Sequence, residues 1–385
     1  MKKLHIPFSP PRITDEDRQA VLEVLDGPLA ADGPRCRALE DAFVGMMGGG
    51  FAVTTSSCTA ALHLSALHAG LGPGDEAVVP AMAHVAMVHA VELTGARPVF
   101  VDCAPATGNI DGAAVEAVIT PHTKALFVAH FCGIPCDMTE LSRVADKYGL
   151  TVVEDCAQAF GARIDGRHVG LFGDMGCFSF APDHHITTGE GGMLVSRRQD
   201  LAAEIARFRD LNLHRDGAER QASGAYDVDG VGLNYRMGEM PAALGHAQIK
   251  RSAEILDRRA RNFAALKERL AASDGVVVFE PPSDRLQSAH HCLTAVLHDG
   301  LGRHRNEVVE ALGAQGIETR LHYPHPAPRL NYYRTKYGYD SALYPNAEAI
   351  SDRSIGFPVG QHLGPKEIKA IADTFGAIAE GLAGS

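Results

Sequence analysis

FAVTTSSCTAALHLSALHAGLGPGDEAVVP, residues 51–80, decides the fold. Phe51–Thr55 is a short β-rich run that reads as a strand. From Ser57 the apolar residues recur at helical spacing, and the pattern stops at the turn Gly72-Pro73-Gly74-Asp75. Residues 76–80, EAVVP, then read as a second strand. Strand, helix and strand within 30 residues make a βαβ unit.

The alternation continues outward. HVAMVHAVELTG (84–95) reads as a helix and RPVFVD (97–102) as a strand. KALFVAHF (124–131) and LTVVED (150–155) are further strands, with the helical MTELSRVADKYG (138–149) between them. MGCFSFA (175–181) and GGMLVS (191–196) read as two closely spaced strands. Such an order predicts an α/β fold whose sheet is mostly parallel and covered on both faces. After Asn212 the composition changes: residues 211–238 are polar and Gly-rich and read as a long functional loop. A charged helix is predicted over Pro241–Ala272, followed by a small C-terminal α/β unit. The expected division is a large domain over 1–250, with its N-terminal segment, and a small domain over 251–385.

The 385 residues carry 36 Lys+Arg against 47 Asp+Glu, a net charge of −11. That balance argues against a broad nucleic-acid-binding face. No apolar run approaches the ~20 residues of a membrane span, and MKKLHIPFSPP has no apolar core of a secretory signal. The eight cysteines are scattered, so reduced core thiols are expected and a cytoplasmic location with them.

Several stretches carry candidate chemistry. Thr55 to Ala60 joins a strand to a helix start, where Ser57, Thr59 and the free amides can bind phosphate; ordinary N-capping is the plainer reading. Asp155 closes a buried strand, where it can hold a pyridinium nitrogen or simply cap a helix. Gln158 follows three residues later and can reach a neighbouring ring oxygen. Ser179 sits between two aromatic residues, and His184-His185 follows the turn. There is no HExxH pattern and no two cysteine pairs at zinc-finger spacing, so no metal site is expected. His84 and the His322-Tyr323-Pro324-His325 segment are by default surface or core histidines.

Together SSCTAALHLSALHAGLGPGDE, PVFVD, VVEDCAQAFGA, FSF…ITTGEGG, NYRM and HYP resemble the DegT/DnrJ/EryC1/StrS family, in order and from about Ile6 to the C-terminus. The resemblance implies the aspartate-aminotransferase fold (fold type I), a pyridoxal or pyridoxamine phosphate cofactor and a nucleotide-sugar substrate. It assigns Thr59, Ala60 and Ser179 to the phosphate cup, Asp155 to the pyridine nitrogen and Gln158 to the ring hydroxyl. It sets His84 against the ring face. Asn234 corresponds to a residue that reaches the phosphate from a neighbouring subunit, which implies a homodimer with shared sites.

The family pattern places a lysine four residues after the FSF phenylalanine; here that residue is His184, and no lysine lies between Lys147 and Lys250. Histidine cannot form lysine's covalent link to the cofactor but can serve as a general base. The HHIT…GEGG form resembles the sugar 3-dehydratase branch. Some members of that branch hold an iron–sulfur cluster, but Phe178 to His291 contains no cysteine. The expected reaction is therefore loss of the C3 hydroxyl from a 4-keto-6-deoxy nucleotide sugar, with His184 as base and a non-covalent cofactor. Glutamate is the expected amino donor, and His214 is a candidate second acid or base. Amino transfer without the lysine, and a non-catalytic cofactor-binding regulator, are the alternatives.

Overall fold

The computed structural model describes residues 5–27, 33–214, 226–271 and 273–383. Its centre is a seven-stranded sheet of β1 (Phe51–Thr55), β2 (Glu76–Pro80), β3 (Arg97–Val101), β4 (Thr123–Ala129), β5 (Thr151–Asp155), β6 (Met175–Ser179) and β7 (Gly192–Ser196). The spatial order is β1-β7-β6-β5-β4-β2-β3. All neighbouring pairs are parallel except the two made by β7, which runs against both β6 and β1.

Side-chain alternation explains why these strands are apolar almost throughout. Val78, Leu126 and Val152 point to one face, where Leu39 and Phe43 of α2 (Pro34–Met47) and Leu141 and Val144 of a helix over Met138–Tyr148 cover them. Val79, Phe127 and Val153 point to the other, beneath α3 (Cys58–His68) and α4 (Val85–Glu92). A strand buried on both faces loses the polar alternation of a half-exposed one.

Past residue 238 the predicted single helix is two: Glu239–Ile249 and Ser252–Leu270. The break falls at Lys250-Arg251, where the Arg251 guanidinium donates to both carboxylate oxygens of buried Asp17 at 2.8 and 2.6 Å. That anchor ends one helix on the large sheet's layer and lets the next one start over a second sheet. The second sheet holds β8 (Val276–Val278), β9 (Leu293–Leu297) and β10 (Ser354–Phe357), all antiparallel. Phe263 and Leu266 pack with Phe357 and Phe375 in an apolar cluster of their own. We propose the boundary near residue 250 on this basis. Among the described residues no helix is long and apolar enough to cross a membrane.

One close approach fixes the sheet edge that matters for function. A Cβ on Gly192 would lie 2.4 Å from the Ser57 carbonyl carbon and 2.6 Å from the Cys58 nitrogen. Only hydrogen at this position lets β7 pack against the turn that opens α3. Gly45, inside α2, meets nothing within 4 Å. Gly192→Ala is expected to destabilise by about 2–3 kcal/mol through overpacking. Gly45→Ala should instead stabilise by roughly 0.5–1 kcal/mol through helix propensity. Urea titrations of the two variants check the pair.

Candidate active site

A cavity of about 430 Å³ opens where the parallel strands end. In open α/β sheets the carboxyl ends of the strands form the ligand crevice. The wall takes His84 from the loop after β2, Ala129 to Phe131 from the end of β4, Asp155, Ala157 and Gln158 from the end of β5, and Ser179, Ala181, Asp183 and His184 from the end of β6. The start of α3 closes one side, and Leu321 to Tyr323 closes another.

The α3 entrance is built for an anion. Ser57 is the N-cap: its hydroxyl accepts the Ala60 N–H at 3.1 Å, and its carbonyl accepts the Ala61 N–H at 3.1 Å. The Cys58 and Thr59 amides, at the first two helical positions, lie outside the helix's own ladder. Ser57, Thr59 and Ser179 all line the cavity. Ala60 does not: it is buried, and its amide already serves the cap, so capping and anion binding divide the predicted stretch between them. The Tyr235 carbonyl accepts the Ser56 N–H at 2.8 Å, and the Tyr235 hydroxyl meets His63 Nδ1 at 3.0 Å, which ties residues 233–237 to this turn.

Asp155 lines the cavity with a nearly buried carboxylate. Its Oδ1 accepts the Ala157 N–H at 2.9 Å, and among the described residues it has no ion-pair partner. Burial pushes its pKa up, against the Ala157 amide and the fields of His84 and His130. Such a group gains most from a cation brought into the cavity. A protonated pyridine nitrogen meets that need, and the hydroxyls and helix start suit a phosphate; the donor set fits pyridoxal phosphate. Gln158 Oε1 is taken by the Cys132 N–H at 2.8 Å, which leaves the amide's donor end for a ligand. His84 caps α4 through Nδ1, which accepts the Ala86 N–H at 3.2 Å. Its exposed ring stands 5.7 Å from Tyr323, centroid to centroid.

His184 is on the wall and His185 is not. His184 Nδ1 lies 2.7 Å from the Ala157 carbonyl, so that nitrogen carries the proton and Nε2 keeps its lone pair. Burial lowers its pKa, with Asp183 and the Ala157 carbonyl opposing. The side chain is therefore neutral and basic at Nε2 near pH 7. His185, buried, turns its Nε2 to the Ala289 carbonyl at 2.8 Å. Among the described residues no lysine lines the cavity. Asn234 is exposed and off this wall, its backbone bridged to Asp210. His214 ends a two-residue strand, and its side chain lies outside the described residues.

Sequence reasoning missed His130, Phe131, His291 and Tyr323, and it took His322 as bland; all five line the cavity. His130-Phe131 had a signal at the carboxyl end of a strand, and His322-Tyr323 had one in the HYP motif. His291 is buried, with its ring 5.2 Å from that of His184, and burial holds it neutral. Beneath the wall, Glu154 is wholly buried and accepts the amides of Gly170, Phe172 and Gly173 at 2.7–2.8 Å and His130 Nε2 at 3.0 Å. Burial raises its pKa, but the His130 bond and these amides more than offset it, so it ends below the ordinary range.

A fold type I sheet with a phosphate-suited helix start and a buried carboxylate defines a pyridoxal-phosphate class of enzyme. Residues 11–376 match the model of the DegT/DnrJ/EryC1/StrS aminotransferase family, and the chain belongs to that family. It is 37% identical over 335 residues to GDP-perosamine synthase of Caulobacter vibrioides, covering 86% of this chain and 88% of that one. It is 32% identical over 383 residues to the spore coat polysaccharide biosynthesis protein SpsC of Bacillus subtilis, covering 98% and 97%. The solved structure of the sugar aminotransferase Spr1654 from Streptococcus pneumoniae, described as putative and in its pyridoxamine phosphate form, superposes with a TM-score of 0.93. It is 27% identical and covers 98% of this chain and 100% of that one.

The sign of the Glu154 shift gives a pH test. A carboxylate whose pKa is depressed on folding stabilises above its unfolded value, about 4.3, and that stability is lost as pH falls through the folded value. Glu154→Gln should cost roughly 3–5 kcal/mol at pH 7 by breaking a buried network. It should also flatten the acid limb of the stability–pH curve, read by denaturant titration from pH 7 down to 3.

Proposed function

We propose that this chain binds pyridoxal or pyridoxamine phosphate without a covalent link and removes the C3 hydroxyl of a 4-keto-6-deoxy nucleotide sugar, with His184 as the base. The observation that carries the proposal is the His184 imidazole: Nδ1–H is held by the Ala157 carbonyl, Nε2 lies 3.9 Å from the Asp183 carboxylate, and the residue lines the cavity at the position where the family pattern has a lysine.

When bound, the cofactor supplies an electron sink that lets a carbon beside it release a proton. The chain's own residues do the rest. Asp155 holds the proton on the ring nitrogen, Gln158 donates to the ring oxygen, and His84 covers the ring face. Ser57, Thr59 and Ser179 hold the phosphate. His184 Nε2 takes a proton and returns it to a different atom. An ammonium at this position would carry charge and reach further; an imidazole fixed by Ala157 has one short reach, which favours expulsion of the C3 hydroxyl. Glutamate is the amino donor. A homodimer completes the cup through Asn234 of the partner subunit, and His214 is a second acid–base candidate.

A second reading, amino transfer to the same sugar class, is favoured by the names of the relatives at 37% and 27% identity. The two differ in the fate of nitrogen. With glutamate, cofactor and a panel of 4-keto-6-deoxy nucleotide sugars, elimination gives free ammonia, 2-oxoglutarate and a sugar lighter by one oxygen atom, the two electrons coming from glutamate through the cofactor. Transfer gives an amino sugar and no ammonia, and that result would replace the first reading.

Two further outcomes are expected. Borohydride treatment of the holoprotein, then denaturation, should leave the chain at its unmodified mass, because among the described residues no lysine lines the cavity. His184→Asn should lower turnover by ~10²–10⁴-fold, the typical loss for one general base. Cofactor affinity, followed by its absorbance on titration, should change little, and His185→Asn should act on stability instead.

A further inference from the structure

We propose that Cys132, Cys292 and His322 form a binding site for one divalent cation of the zinc type, set in the wall behind the cavity. This site is independent of which reaction the enzyme catalyses.

The geometry is that of a coordination set. The two thiol sulfurs and an imidazole nitrogen all lie within 4.8 Å of one another. Cys292 Sγ is 3.8 Å from His322 Nδ1. With Zn–S near 2.3 Å and Zn–N near 2.0–2.1 Å, tetrahedral angles require edges of about 3.6 Å for S···N and about 3.8 Å for S···S. Only a few tenths of an ångström separate the observed S···N distance from that requirement.

Each ligand is held from outside the group. The turn after β4 places Cys132 at φ 52°, with its amide fixed by Gln158 Oε1. Cys292 immediately precedes β9 and is 2% exposed. His322 occupies space that a side chain on β10 would take: a Cβ on Gly356 would sit 3.0 Å from its Nδ1. Two thiolates and a neutral imidazole exactly neutralise a dication in charge, which keeps the burial penalty of the assembled site small. Three protein ligands leave a fourth position for water, the arrangement of an open zinc site.

A second group, His130, Glu154 and Cys156, is as compact. There the carboxylate is already saturated by three amides and His130, so a cation would have to displace bonds the fold needs. Around Cys132, Cys292 and His322 the contacts to be displaced are weak thiol ones, Cys292 Sγ to Thr294 Oγ1 at 3.4 Å and to His322 Nδ1 at 3.8 Å. Their spacing in sequence matches no metal motif because three separate segments supply them.

The test uses the full-length chain, reduced and desalted, loaded with zinc chloride and, separately, with cobalt(II). One zinc per chain by mass spectrometry of the metal is expected. Cobalt should give thiolate charge-transfer bands and the intense visible bands of a tetrahedral site. Cys132→Ser and Cys292→Ser should each weaken zinc binding by roughly 100-fold or more, since even outer-sphere changes cost 10–100-fold; Cys103→Ala should not. Should a serine variant misfold, alkylation of the wild type followed by peptide mapping gives the same answer, because zinc must shield Cys132 and Cys292 selectively. No retained metal, cobalt bands without thiolate character, unselective shielding, or a Cys132–Cys292 disulfide in place of the metal would each overturn the proposal.

Discussion

Two adjacent carboxylates at the end of β5 set most of what surrounds them. Strand alternation sends Glu154 and Asp155 to opposite sides. Glu154 goes inward, where four donors satisfy it and so fix His130 and the 170–173 turn. Asp155 goes to the cavity with one amide and no ion-pair partner among the described residues. A buried carboxylate with four donors is a structural anchor; one with a single donor is an incomplete site. The difference between these neighbours is what turns a strand end into a binding place.

The cavity wall brings several imidazoles together. His184, His291 and His322 stand within 5.2–5.6 Å of one another in sequence of contact, and burial holds His184 and His291 below their ordinary pKa. Neutral rings accept and donate protons at fixed nitrogens, whereas a cluster of charged ones would repel. His184 and His291 therefore face each other as uncharged rings. Behind the wall, the thiols of Cys132 and Cys292 extend the same polar corner toward the small sheet.

Much of the large sheet was legible. Seven runs read as strands are the seven strands found, because each is short, apolar and bounded by turn residues. The expected helix over Pro241–Ala272 was the main error. The break falls at Lys250-Arg251, where Arg251 pairs with Asp17, more than two hundred residues away, a contact that local periodicity does not signal. The small sheet was read as a further α/β unit, but its strands pair antiparallel, which strand composition alone does not state.

The amino-acid sequence by itself determined the family, the order of the elements and the residue at position 184, since these follow from local periodicity and from motifs in a fixed order. Tertiary structure alone decided which histidines share a wall, which nitrogen of His184 the Ala157 carbonyl holds, and that Ala60's amide serves the cap. It also decided that Cys132, Cys292 and His322 meet. The physical reason is distance along the chain: a contact between segments that a whole domain separates has no periodicity to betray it. Only the packed sheets bring such side chains within 4.8 Å of one another.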